Sequence, residues 1–202
     1  YVTPEVTEAD RARLVSLDFR LGPFRKGRWT KFGVLEGLKN NYTGRTLFTS
    51  DGALWNCVYG GLARFDGREF FVLSSENGLG SVPASPWAAY LDDSAMFWLG
   101  TLDGLRRYRP ADGAPPARFS PPGVPTDDII EITGTSDGAV WWRTREALVR
   151  YQGGQGAVFT NLWRSRAGFH GRLAVAGNRL WLTGPGVGLV RFEGTNQVRW
   201  TR

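Results

Sequence analysis

The chain has 202 residues, of which 42% are hydrophobic and 22% charged, with 27 glycines and nine tryptophans. Its single cysteine excludes an internal disulfide, and its single histidine, His170, has no second histidine with which to build a metal site. The formal net charge is +6, but the 22 arginines and three lysines are scattered, with no run of five basic residues. Since scattered arginines are typical of a solvated surface, we expect no nucleic-acid partner.

The N-terminal residues are predicted to form a degenerate first unit of a repeat. Leu14, Leu21 and Phe24 follow one another at spacings of seven and three residues. A faint helical period over residues 6–17 leaves a helix as the alternative. The chain starts at Tyr1 rather than at methionine and shows no signal peptide or transmembrane run, so we expect a processed form or a fragment of a longer protein.

The second unit shows the repeat most clearly. Four strands are predicted over residues 45–49, 53–58, 62–66 and 69–73, each rich in aromatic or branched side chains and bounded by turn-forming residues. Between the first two strands, Asp51 and Gly52 predict a type I′ turn, in which both central residues have positive φ.

The same unit recurs up to the C-terminus. Trp55, Leu62 and Phe65 reappear at the same spacings in two later units, and with one extra residue in the last: Trp98, Leu105 and Tyr108; Trp141, Leu148 and Tyr151; Trp181, Leu189 and Phe192. The first anchors of the five units lie 41, 43, 43 and 40 residues apart. A period of about 40 residues is typical of one four-stranded propeller blade.

We therefore predict an all-β fold, a single β-propeller domain over residues 1–202 with about five four-stranded blades. The blades are expected at about residues 1–33, 45–73, 86–120, 129–160 and 172–202. The five blades either close into a ring or form an arc of a larger propeller. We favour the closed ring, because an open arc would expose two apolar blade faces.

The unit resembles the two-component regulator propeller repeat, in which Asp-Gly, an apolar residue, Trp, a Gly-containing turn, Gly-Leu and an aromatic follow in order. Residues 51–65 carry this pattern most fully and residues 97–108 match it equally well, whereas residues 137–151 have Glu146–Ala147 in place of the glycine. The resemblance implies the extracytoplasmic sensor region of a bacterial hybrid signalling protein, periplasmic or extracellular. Many such sensors respond to polysaccharide fragments, and a membrane link would come only through a parent chain.

Residues that could carry catalysis are few. The sequence has neither a Gly-x-Ser-x-Gly elbow nor a phosphate loop. The paired carboxylates Asp92–Asp93 and Asp127–Asp128 fall near predicted turns, where aspartate is expected for local reasons. We predict a protein that is not an enzyme and has no cofactor and no metal, with a polysaccharide-degrading enzyme as the less favoured alternative.

Side chains that repeat with the blade are predicted to be structural. The four anchor tryptophans should pack between blades. Arginines two residues after each repeated leucine should bind turn carboxylates or carbonyls: Arg64, Arg107, Arg150 and Arg191.

Ligand-binding residues are expected where the repeats differ. In a four-stranded blade, the turn between the second and third strands and the connections between blades emerge at the same end. The candidates there are Asn41, Tyr59, Trp87, Asp103, Arg145, Trp163, Arg164 and His170. Aromatic rings stack on sugars, and amides and charges bind hydroxyl groups. The expected partner is an oligosaccharide or another small polar ligand, and a protein partner is the alternative. Trp87 and Trp163 could instead pack beneath their own loops.

Overall fold

The structure, a computed structural model, describes residues 32–76, 78–80, 83, 85, 87–163 and 171–200. The chain divides into two units, Tyr1–Lys31 and Phe32–Arg202, and every described residue lies in the second. The anchors of the predicted first blade, Leu14, Leu21 and Phe24, lie outside the described residues.

The described residues form four antiparallel sheets, and each sheet is a meander of four consecutive strands. The first sheet contains β1 (Thr43–Phe48), β2 (Leu54–Val58), β3 (Gly61–Phe65) and β4 (Phe70–Leu73). The second contains β5 (Ala89–Leu91), β6 (Phe97–Thr101), β7 (Gly104–Tyr108) and β8 (Ala117–Arg118). The third contains β9 (Glu131–Gly134), β10 (Val140–Arg143), β11 (Ala147–Gln152) and β12 (Gln155–Thr160). The fourth contains β13 (Arg172–Ala176), β14 (Arg179–Gly184), β15 (Gly188–Glu193) and β16 (Asn196–Trp200). Two short 3-10 turns, Val34–Glu36 and Pro110–Asp112, are the only helical segments in the described part of the chain.

The four sheets stack in chain order around their first strands. Strand β1 lies beside β5, β5 beside β9, and β9 beside β13. This radial arrangement of four-stranded meanders is that of propeller blades, so the predicted fold class is confirmed. Within the described residues the four blades form an open arc, and the first blade of the predicted closed ring lies outside them.

Three of the four anchor tryptophans lie between neighbouring sheets, as predicted. Trp55 contacts Phe97 of the second sheet, with ring centroids 4.9 Å apart. Trp98 packs in a core that includes Ile132 and Trp142 of the third sheet. Trp141 is fully buried, in a core that it shares with apolar side chains of the fourth sheet. A buried tryptophan is therefore common to the three described interfaces between consecutive blades, where apolar burial stabilises the contact between sheets.

Trp181 differs from the other three anchors. It is half-buried and stacks on Trp200 of its own sheet, with ring centroids 5.8 Å apart. No described sheet covers this face, on which Val198 and Trp200 are exposed. The expected packing of Trp181 between two blades is therefore not found among the described residues.

The repeated arginines share a contact that the sequence did not suggest. Each lies over the anchor tryptophan of its own sheet, at 5.7–6.0 Å from guanidinium carbon to ring centroid: Arg64 on Trp55, Arg107 on Trp98, Arg150 on Trp141 and Arg191 on Trp181. Arg64 and Arg150 also reach the turn carboxylates of Asp51 and Asp137, at 3.1 and 2.7 Å. The predicted carboxylate partner is thus confirmed for these two, whereas the cation–π contact is common to all four.

The turn at Asp51–Gly52 is not type I′. Gly52 has φ of 81°, but Asp51 is not among the residues with positive φ. The N–H of Gly52 donates to the carbonyl of Thr49 at 2.9 Å, and the Asp51 carboxylate accepts from the Ala53 N–H at 3.1 Å. Because the aspartate serves as a hydrogen-bond acceptor within a longer loop, only the glycine needs the left-handed conformation.

These contacts lower the pKa of Asp51 to about 2. The Thr49 hydroxyl has the largest effect, followed by the Ala53 N–H and the Arg64 guanidinium. Because the folded-state pKa lies below the ordinary value of 3.8, the ionised carboxylate stabilises the fold above that pH. This contribution is lost as the pH falls through about 2.

We expect Thr49→Val to raise the pKa of Asp51 towards 3.8, because it removes the hydroxyl donor but keeps the side-chain shape. Thr49→Ser, which keeps the hydroxyl, is the matched control and should leave the pKa near 2. Carbon-detected NMR titration of the Asp51 carboxyl measures both variants. An unchanged pKa in Thr49→Val would contradict the assigned cause.

Candidate functional site

The connection end is the end of the arc at which each first strand begins. The connections between sheets and the turns between second and third strands both lie there, because antiparallel strands alternate in direction. Glu131 begins β9 at this end, and its partner across the ladder, Arg143, is the last residue of β10.

Charged residues occupy one equivalent position near the start of the first strands. The anchor tryptophans pair with Leu47, Tyr90, Thr133 and Ala174 on the first strands. The residues two positions before these partners are Arg45, Ala88, Glu131 and Arg172. Three of the four blades therefore present a charge at the same place. We call Arg45, Glu131, Arg143 and Arg172 the axial cluster.

Glu131 is the centre of the axial cluster. Its carboxylate lies 3.6 Å from Nη2 of Arg143 and 3.9 Å from Nη2 of Arg45, and it accepts a hydrogen bond from the Leu173 N–H at 3.2 Å. The side chains of Glu131 and Arg143 are only 3% and 2% exposed. Arg143 also donates to the carbonyl of Gly171 at 3.1 Å. The third blade is thereby linked through one carboxylate to the first and the fourth.

Arg45 and Arg172 occupy the more accessible positions of the cluster. Arg45, whose side chain is 27% exposed, reaches from the first sheet to the third and donates to the carbonyl of Ile132 at 3.2 Å. Arg172 is exposed, and its guanidinium carbon lies 4.1 Å from the ring centroid of Trp87. The Trp87 carbonyl accepts from the Ile132 N–H at 3.3 Å, which ties this connection to β9.

Burial dominates the electrostatics at the centre of the cluster. It raises the pKa of Glu131, although the guanidiniums of Arg143, Arg172 and Arg45 and the Leu173 N–H oppose the shift. Burial also lowers the pKa of Arg143, with Arg172 acting in the same direction and Glu131 against it. The ion-pair distances exceed those of a hydrogen bond, so attraction offsets the loss of hydration only in part.

Among the predicted site residues that the structure describes, Trp87 is the one that joins the axial cluster. Tyr59 is exposed in the turn between β2 and β3, and its N–H donates to the carbonyl of Tyr42 at 3.0 Å. Asn41 accepts from the Val34 N–H at 3.1 Å, a contact within the connection that leads into β1.

The other described candidates make local contacts. Asp103 accepts from the Thr101 hydroxyl at 2.6 Å and pairs with Arg106 at 2.7 Å. The carbonyl of Arg145 accepts from the indole N–H of Trp163 at 2.5 Å, so the structure brings these two residues together. Trp163 also packs partly against the core between the third and fourth sheets, in keeping with the loop-packing alternative. Arg164 and His170 lie outside the described residues.

Two open clefts, each of about 360 Å³, lie on the described surface. One is at the connection end, where Arg145 pairs with Asp128 at 3.4 Å beside Glu146 and Val158. The other is at the opposite end, between Asp51 and Arg64 of the first sheet and Arg109 of the second. The axial cluster lies at the same end as the first cleft.

No group of three or more His, Cys, Asp or Glu side chains in the described ranges is placed to hold a metal ion. None of the helical segments in that part of the chain is long and apolar enough to cross a membrane.

Comparison with solved structures supports the fold. The extracellular domain of a protein described as a hybrid two-component system from B. thetaiotaomicron superposes with a TM-score of 0.65 at 18% identity, over 85% of this chain and 26% of that one. A second such extracellular domain from B. thetaiotaomicron superposes with a TM-score of 0.60 at 17% identity, over 84% of this chain and 23% of that one. A streptogramin B lyase superposes with a TM-score of 0.57 at 14% identity, over 81% of this chain and 56% of that one.

No protein-family model matches the sequence, and no curated relative does. At identities of 14–18%, the structural likeness establishes the fold, which is the one that the repeat pattern predicts. The chain spans about a quarter of the two extracellular domains that it matches, at 26% and 23% of their lengths.

Proposed function

We propose that this chain is part of the extracytoplasmic, ligand-binding region of a bacterial sensor protein, periplasmic or extracellular and without catalytic activity. Its connection end would bind a small polar ligand such as an oligosaccharide. The likeness to extracellular domains of two-component systems supports the sensor role. The observation that carries the binding role is the contact between the Arg172 guanidinium and the ring of Trp87, on the accessible side of the axial cluster.

Such an arrangement suits a ligand with both apolar faces and polar edges. A half-buried indole offers a surface for a sugar ring, and guanidinium groups donate to hydroxyl and acidic oxygens. The residues at this position differ from blade to blade, being Arg45, Ala88, Glu131 and Arg172. Repeated residues maintain the scaffold, whereas residues that vary at equivalent positions are free to serve recognition.

We expect an isothermal titration screen with neutral and anionic oligosaccharides to find a ligand whose binding is lost in Trp87→Ala. Trp200→Ala is the matched control, because Trp200 is exposed on the outer strand of the fourth sheet, far along the blade from its first strand. A screen without any binder, or equal effects of the two variants, would contradict the proposal.

A protein-binding platform is the second candidate. One solved structure of the same fold, described as YCF48 bound to D1 peptide, superposes with a TM-score of 0.51 at 15% identity, over 80% of this chain and 55% of that one. A pull-down that recovers one stoichiometric protein partner, together with a negative oligosaccharide screen, would favour this function.

A further inference from the structure

The axial cluster carries an excess of positive charge. It contains three guanidiniums and one carboxylate, a formal net charge of +2. Glu131 is shared between Arg143 and Arg45. Among the described residues, no carboxylate lies within ion-pair distance of Arg172, although its charge opposes the burial-driven rise in the pKa of Glu131 and adds to the burial-driven fall in the pKa of Arg143. The excess charge is therefore concentrated on the accessible side of the cluster.

Arg172 is held in position by a contact that leaves its donors available. Its guanidinium lies over Trp87, 4.1 Å from the ring centroid, and its N–H groups make no hydrogen bond to other described residues. Arg45 donates to Ile132, yet its Nε is buried without a hydrogen-bond partner in the described part of the chain. Both arginines therefore lie at the axial cluster, Arg45 beside the carboxylate of Glu131 and Arg172 over the ring of Trp87, and each has an N–H donor without a partner among the described residues.

Guanidinium donors favour a particular kind of chemical group on the ligand. A guanidinium presents its N–H groups in a planar fork that matches the oxygens of a carboxylate or a sulfate ester. Stacking on an indole restricts the side chain beforehand, so less conformational entropy is lost when an anion binds.

We propose that the axial cluster is an anion subsite, in which Arg172 and Arg45 bind a carboxylate or sulfate substituent of the ligand beside the ring of Trp87. Glu131 sets the strength of the subsite, because its negative charge offsets part of the charge of the arginines. This inference rests on the proposed function, since it takes the anion to be part of a ligand bound at the connection end.

The test uses the 202-residue chain and NMR spectra of its arginine Nε–H and indole N–H groups. D-glucuronate and D-glucose 6-sulfate are the anionic probes, and D-glucose is their neutral counterpart. We expect the anions, but not glucose, to shift the signals of Arg172, Arg45 and Trp87. A response to one anion alone identifies which of the two substituents the subsite takes.

Three variants sharpen the test. Arg172→Gln should weaken binding of the anion by about tenfold, as expected for loss of a charge-assisted hydrogen bond. Arg191→Gln is the matched control, because Arg191 lies in the same sheet and makes the same kind of contact with Trp181, and it should change the affinity by less than about twofold. Glu131→Gln should tighten binding, since it removes the negative charge.

Equal shifts with glucose and glucuronate, no shift with either anion, or full binding in Arg172→Gln would each overturn the inference. These outcomes are separate from failure of the proposed function. An oligosaccharide that binds in the calorimetric screen without any preference for an acidic group would overturn the anion subsite alone.

Discussion

Replacing Trp141 with alanine should lower the free energy of unfolding by about 3–5 kcal/mol. The Trp141 side chain is fully buried between the third and fourth sheets, where it contacts Phe159 and Phe192. Alanine would remove these contacts and leave a cavity that two rigid sheets cannot close. Urea unfolding followed by far-UV circular dichroism measures the change.

Trp181→Ala is the matched control for this substitution. Trp181 has the same position in the repeat and the same arginine contact, but it is half-buried on a face that no described sheet covers. Partial burial predicts a smaller loss, about 1–2 kcal/mol. Equal losses for the two variants would show that packing between sheets is not the source of the stability attributed to Trp141.

Gly134→Ala should destabilise the fold by about 1–3 kcal/mol, because the new methyl group overlaps the Tyr90 ring and forces it out of its packed position. Gly134 ends β9, and a Cβ atom at this position would overlap the ring of Tyr90 on β5. The glycine therefore permits the close approach of the first strands of the second and third sheets. Urea unfolding of the variant measures this cost.

The Tyr90→Ala background provides the control through a double-mutant cycle. Once the Tyr90 ring is absent, Gly134→Ala should cost less than about 0.5 kcal/mol, since the new methyl group has space. If Gly134→Ala costs the same in both backgrounds, the two first strands are not in contact as described.

The repeat pattern was sufficient to predict the four described blades and the tryptophans between them, whereas the predicted first blade lies outside the described residues. Trp55, Trp98 and Trp141 recur at intervals of 43 residues, and a side chain that recurs with the repeat meets the same neighbours in each blade. The surroundings of Trp181 could not be predicted in this way, because they depend on what lies beyond the fourth sheet. The cation–π contacts of the arginines also depend on cross-strand register, which spacing alone does not define.

The axial cluster was missed, although the sequence contains a signal for it. Arg45 and Glu131 each precede an anchor tryptophan by ten residues, and Arg172 precedes one by nine. The difference arises because Trp181 pairs with a residue seven positions earlier, whereas Trp141 pairs with one eight positions earlier. Charged residues that recur near the start of the first strands indicate a polar cluster at the centre of the propeller. Which of them come into contact depends on how the sheets stack, and the sequence does not define this.

The sequence contains no such signal for the burial of Arg143. It occupies the position two residues after Trp141, where the first and second sheets have Cys57 and Gly100. Only the structure shows that this guanidinium is buried against Glu131. The charged side chains at the connection end are therefore ones that the repeat does not predict.

A crystal structure of the chain soaked with D-glucuronate tests most directly whether the connection end is the binding site. We predict that the carboxylate lies between the guanidiniums of Arg172 and Arg45, with the sugar beside the ring of Trp87. Glucuronate bound only in the cleft at the opposite end, between Asp51 and Arg109, would contradict this placement of the site.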